Sequence, residues 1–151
     1  MTWKPHVTVA AVAERDGRFL LVEEIIDGRR VINQPAGHLD EGESLVQAVV
    51  RETREETAWT FEPEAVVGIY RWRSPRDGET FVRVTFCGQC TGHDDRQPLD
   101  KEIVRTAWLS REALAERRAR LRSPLVLRSI DDYLEGRRHP LDLLVEVAAD
   151  G

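Results

Sequence analysis

Sulfur is scarce in this chain: Met1, Cys87 and Cys90 are its only sulfur-bearing residues. Cys87 and Cys90 form a C-x-x-C at the end of an alternating strand pattern. No helix start follows them, no second ligand pair exists, and His6, His38, His93 and His139 are scattered along the sequence. A redox or zinc role needs one of those neighbours, so both cysteines read as structural or incidental. Long apolar runs are also missing, and none approaches the ~20 residues that span a bilayer. Met1-Thr2-Trp3-Lys4-Pro5-His6 lacks the charged and apolar regions of a signal peptide, which makes the cytoplasm the expected compartment. Basic charge is not in excess either. The 27 acids outnumber the 22 Lys and Arg for a net charge of −5, which argues against a nucleic-acid coat protein but leaves room for a nucleotide delivered with its metal. Internal repeats, low-complexity tracts and linkers are absent, so residues 1–151 read as one domain, long enough to bury its own core.

What the chain does have is concentrated acid. Arg51-Glu52-x-x-Glu55-Glu56 spaces its carboxylates at three and four residues, which at helical periodicity puts them on one face. Like charges that close destabilise a helix unless a cation lies between them. An all-oxygen cluster suits a hard divalent ion, Mg²⁺ first with Mn²⁺ as a substitute, and such an ion keeps positions open for water and substrate phosphates. The residues therefore point to a metal-dependent enzyme acting on a phosphate ester or anhydride. The bland alternative is a solvated helix face, with Leu45, Ala48, Val49 and Trp59 buried on the other side and Arg51 and Arg54 pairing the acids.

Gly37, Glu43, Arg51, Glu52, Glu55 and Glu56 stand at the spacing of the Nudix box, and the segment from 37 to 59 resembles that family. Two positions depart from the pattern: Thr53 replaces an aliphatic residue and Ala58 replaces the closing glycine. Thr53 can pack its methyl group and tie back its hydroxyl, whereas a positive φ at Ala58 costs on the order of 1 kcal/mol relative to Gly. The resemblance implies a β-sheet flanked by helices. It also implies a site in which Glu52, Glu55 and Glu56 bind metal, with Gly37, Glu43 and Arg51 as structural members. Segments 4–10, 33–39 and 121–126 extend the likeness to a phosphatase branch of the family. That branch implies hydrolysis of nucleoside tri- and diphosphates to orthophosphate, and activity on the pyrophosphate of the thiamine pyrimidine precursor. A sugar-nucleotide or dinucleotide pyrophosphatase and a non-catalytic nucleotide sensor are the alternatives. The sensor is disfavoured by the intact acid set.

A water's proton needs an acceptor. Glu56 is the candidate inside the box and Glu102 the one outside it, because the family often recruits such an outside acid. For substrate contacts the candidates are Arg83, Trp72 and Arg122. Arg83 lies on the polar side of the alternating Phe81–Phe86 stretch and suits phosphate; its bland reading is a solvated sheet face. Trp72 suits stacking on a base or pyrimidine ring, or the core. Arg122 sits beside the Ser123-Pro124 helix start, where anions bind well. The partner these residues imply is a small-molecule phosphate compound rather than nucleic acid or membrane.

The remaining pattern predicts strands over 6–12, 19–24, 66–73, 80–87 and 103–109, with a short apolar step at Val31-Ile32. Ser44 and Gln47 form a capping-box pair that predicts a helix from Leu45 to about Thr57. Ser110 should cap a helix ending near Leu121, and Ser123-Pro124 should open another that Gly136 ends. The fold expected is a mixed α/β (α+β) sandwich, α/β/α in layers with a mixed sheet.

Overall fold

A computed structural model describes residues 1–149. Strands β1 (His6–Arg15), β2 (Arg18–Ile26) and β3 (Arg29–Asn33) are followed by β4 (Ala36–His38) and helix α1 (Leu45–Thr57). Strands β5 (Trp59–Arg73), β6 (Thr80–His93) and β7 (Ile103–Ser110) come next, then helices α2 (Arg111–Glu116) and α3 (Leu125–Leu134). The seven strands form a mixed sheet with the order β3-β2-β1-β6-β5, in which β4 also pairs with β1 and β7 with β2. The one parallel pairing among these is β1 with β6, from His6 against Phe81 to Ala13 against Gly88. Val9 to Ala13 are buried without a break, as expected for a strand covered on both faces.

The two faces carry separate cores. Val9, Ala11, Ala13, Val84 and Phe86 pack with Ala48 and Val49 of α1. Val12, Leu21, Val67 and Cys87 pack with Leu114 of α2 and Val126, Leu127 and Ile130 of α3. That is the expected α/β/α layering. Cys87 and Cys90 belong to opposite cores, and both are free thiols whose pKa burial raises.

Local chemistry explains the joints. Asp16-Gly17 and Asp27-Gly28 have positive φ at both residues, the type I′ geometry that matches the twist of a hairpin. Ser44 accepts a hydrogen bond from the Gln47 amide while the Gln47 side chain accepts one from the Ser44 amide, closing the capping box. The helix ends at Ala58 in the left-handed region, φ 63° and ψ 9°. Ala58 is buried to 4% exposure, so its methyl group's packing offsets some of the conformational cost.

Several elements differ from the sequence pattern, among them β6, which runs to His93 instead of ending at 87. The loop expected at 33–38 contains β4, paired to β1 through Val9 and Gly37. The strand expected to start at Val66 starts at Trp59, because register shifts around Thr60, Pro63 and Val66 let a polar, proline-containing stretch join the sheet. The helix after Ser110 stops at Glu116, and a 3₁₀ turn at Arg118–Arg120 follows. Pro124 sits just before α3 rather than inside it, while the Ser123 hydroxyl accepts from the Leu125 amide at 3.2 Å.

Candidate active site

The site is built on one face of α1 where β4 crosses it. Arg51 is the hub. Its Nε and Nη2 donate to the two oxygens of Glu43 at 3.0 and 2.6 Å, the two-pronged geometry that fixes a carboxylate. Its Nη1 donates to Glu52 at 2.8 Å and Glu55 at 3.3 Å, and Nη2 also reaches the His38 carbonyl at 3.1 Å. Arg51 holds the Glu43 pKa below the ordinary carboxylate range. Thr53 behaves as its chemistry suggests, fully buried and donating from its hydroxyl to the Val49 carbonyl at 2.8 Å.

Glu52, Glu55 and Asp100 each offer a carboxylate oxygen, and these lie within 4.8 Å of one another. Asp100 reaches the group because its amide donates to the Glu55 carbonyl at 3.0 Å, near the end of α1 where carbonyls lack helical partners. Burial pushes the Glu52 pKa up to about 7, against the pull of Arg51. Burial, then Glu55 and Glu102, also raise that of Asp100. Carboxylates that resist ionising together in the absence of a cation are the donor set a divalent metal satisfies. Gly37 makes the approach possible: a Cβ there would overlap the Glu52 carboxyl group. Gly37 has no positive φ, so its value is space rather than a tight turn.

Glu56 stands apart from those three. It is 7% exposed and accepts from the Ala36 amide at 3.0 Å. Burial pushes its pKa up to about 9, and the charges of Glu24, Glu52 and Asp100 add to that shift. Glu102 is exposed and lies outside the three-carboxylate group; its backbone carbonyl accepts from Ile25. Asp100, two residues earlier, is the acid from outside the box that joins the three-carboxylate group. Nothing in Leu99-Asp100-Lys101-Glu102 separates the two acids until the backbone clip to α1 is known.

Beyond Ala36 and Gly37 opens a cavity of about 660 Å³, and Arg83, Trp72 and Arg122 all line it. Arg83 is not on a solvated face, because α3 covers that side of the sheet. It is 5% exposed and donates to the side-chain oxygens of Asn33 at 3.1 Å and Gln34 at 3.2 Å. Burial and the neighbouring Arg122 lower its pKa to about 10. Gln34 is held in turn by its own donation to the Val126 carbonyl and the Ser129 hydroxyl, both 2.9 Å. Arg122 donates to Glu24 at 3.0 Å. Glu24 is 6% exposed and also lines the cavity. Sequence reasoning missed it because Glu23-Glu24 ends a strand with no motif around it. Trp72 is half-buried against Phe81, ring centroids 6.0 Å apart.

The pattern of the NUDIX domain matches residues 3–129. The chain belongs to that family. As a Nudix hydrolase it is an enzyme that cleaves acid anhydrides, and Nudix hydrolases generally work with a divalent metal. It is 42% identical over 142 residues to phosphatase NudJ of Escherichia coli strain K12, covering 94% of this chain and 92% of that protein. The NudJ of Shigella flexneri gives the same figures of 42%, 94% and 92%. A NUDIX hydrolase from Nitrosomonas europaea superposes with a TM-score of 0.94 at 49% identity, over 95% of this chain and 98% of that one. The NUDIX domain of Shewanella oneidensis NrtR, solved in complex with ADP ribose, shares the fold. Its TM-score is 0.70 at 22% identity, over 89% and 90% of the two chains. Among the described residues of this Nudix chain no helix is long and apolar enough to cross a membrane.

Proposed function

We propose that this chain is a Mg²⁺-dependent phosphohydrolase that takes the terminal phosphate from nucleoside tri- and diphosphates and releases it as orthophosphate. One observation carries the reading. At Ala36 and Gly37 the carboxylates of α1 meet a cavity of about 660 Å³ whose walls hold Arg83 and Arg122. That volume lies within the usual range for small-molecule sites. The likeness to phosphatase NudJ over 94% of the chain supports orthophosphate as the product. It also supports the pyrophosphate of the thiamine pyrimidine precursor as a further substrate.

Glu52, Glu55 and Asp100, with Glu56 beside them, would hold the cation, Mg²⁺ first and Mn²⁺ in its place. When bound it supplies charge neutralisation at the phosphate oxygens and acidifies adjacent water. Arg51 fixes Glu43 and Glu52 so that the acids are positioned before substrate arrives. Glu56, which would be ionised with the cation bound, takes the proton of the attacking water, whose oxygen bonds to the terminal phosphorus. The bridging P–O bond breaks in line and its electrons leave on the shortened nucleotide. Arg83 and Arg122 hold the phosphate that stays with the leaving group.

The deciding experiment is phosphorus NMR of early turnover with Mg²⁺ and a nucleoside triphosphate. Orthophosphate and the diphosphate should appear first, then the monophosphate. Direct formation of pyrophosphate and monophosphate would overturn the reading in favour of a pyrophosphohydrolase. Tight binding without turnover would make the chain a sensor.

A further inference from the structure

Two of the four scattered histidines meet beside the cavity, whose wall His38 joins, and a carboxylate completes them into a chain of three. Glu79 Oε2 lies 3.1 Å from His6 Nε2, and His6 Nδ1 lies 3.0 Å from His38 Nε2. The His6 ring is stacked on Phe81 with centroids 4.9 Å apart, and the two imidazoles meet edge to face at 5.1 Å. His38 and Phe81 line the cavity beside Trp72.

With both rings neutral, the order of the chain dictates where its protons sit. A carboxylate only accepts, so His6 Nε2 must carry the hydrogen. In a neutral imidazole the other nitrogen is then an acceptor, so the bond between the rings requires the hydrogen on His38 Nε2. His38 is thereby left with a bare Nδ1 lone pair, for which the described residues supply no partner. Partial burial first, then the neighbouring His6, lower the pKa of His38.

Resting on the reading of this cavity as the substrate site, we infer that His38 is a specificity-determining residue. Locked in one tautomer by Glu79 through His6, it accepts a hydrogen bond from an amino group on a heteroaromatic ring of the substrate. The wall beside it explains the ring: Phe81 and Trp72 offer flat apolar surface on which a neutral base can stack. Glu79 and His6 are positioning residues, since they act on the substrate through His38. The phosphates are held elsewhere, by the arginines and the carboxylate site, so this contact sorts substrates by their non-phosphate part.

The test compares triphosphates that differ by one amine: ATP against purine riboside triphosphate, and CTP against its des-amino analogue zebularine triphosphate. At pH 8.5, above the ordinary histidine range, kcat/KM should favour the amine about five- to tenfold, the usual net size of one hydrogen bond. His38→Phe keeps a ring and removes both nitrogens, so the ratio of kcat/KM between amine and des-amino substrates should collapse to about one. Glu79→Ala lies on the surface and frees the tautomer, so the preference should fall with the fold untouched. Long-range ¹H–¹⁵N spectra of the wild type should show His38 with a pyridine-type Nδ1, and this signal should average in Glu79→Ala. A protonated Nδ1 in the wild type, or equal turnover of amine and des-amino substrates, would overturn the inference and leave the phosphohydrolase reading intact. No orthophosphate from any of the four compounds would remove the substrate reading and this inference with it.

Discussion

Gly37 and Glu52 occupy neighbouring space so closely that a Cβ on the first would overlap the carboxyl group of the second. The strand that carries Gly37 is tied to β1 and the helix that carries Glu52 is packed on the sheet, so neither backbone yields cheaply.

Gly37→Ala should therefore displace Glu52 from the carboxylate group. Misplacement of about an ångström at a reacting centre costs roughly a hundredfold, and kcat should fall by at least that much. Raising Mg²⁺ should recover part of the loss if the ligand is shifted rather than removed. Activity at the wild-type level in the folded variant would refute the spatial argument.

Activity should depend strictly on a divalent ion. Excess chelator should abolish orthophosphate release, and Mg²⁺ or Mn²⁺ should restore it. Ca²⁺, larger and looser in its coordination, should support binding better than turnover. Unchanged turnover in chelator would show that the carboxylates serve some other purpose.

Glu56→Gln keeps an oxygen for the Ala36 amide and removes the charge, so kcat should drop by about 10²- to 10⁴-fold. Its effect on stability has a pH signature. Without metal, Glu56 in the folded chain titrates near 9 against an ordinary 4.5. Between those values the folded state holds a proton that the unfolded state has lost, so rising pH destabilises the metal-free protein. The wild-type Tm in chelator should fall from pH 5 to pH 9. The variant's Tm should fall less, overtaking the wild type on the alkaline side. Parallel Tm curves would contradict the burial of an ionisable Glu56.

Arg83→Lys keeps the charge but loses the fork that spans Asn33 and Gln34. One of those buried oxygens is then short of its donor, which costs about 1–3 kcal/mol and should lower Tm. If Arg83 also holds substrate phosphate, KM should rise about tenfold or more with a smaller change in kcat. An unchanged KM alongside a lowered Tm would make Arg83 a purely internal support.

The sequence by itself determined the chemistry and the helix that bears it. Fixed spacings from Gly37 to Glu56 name the acids, Ser44 and Gln47 set the helix start, and Ala58 marks a left-handed end. The Glu43–Arg51 pairing is local too, a loop acid set over the arginine two helical turns on. All of these relations fall within about twenty residues, where helical geometry converts spacing directly into distance. What the tertiary structure decided lies farther apart. Asp100 joins Glu55 across a loop clipped to the helix end, and α3 turns the Arg83 face from surface into cavity wall. Gly37 proves to be space for Glu52. His6, His38 and Glu79 converge only because β1 lies between β4 and β6. No local periodicity encodes such meetings; they depend on which strands pair and in what register, and one residue of slip would send each side chain to the opposite face.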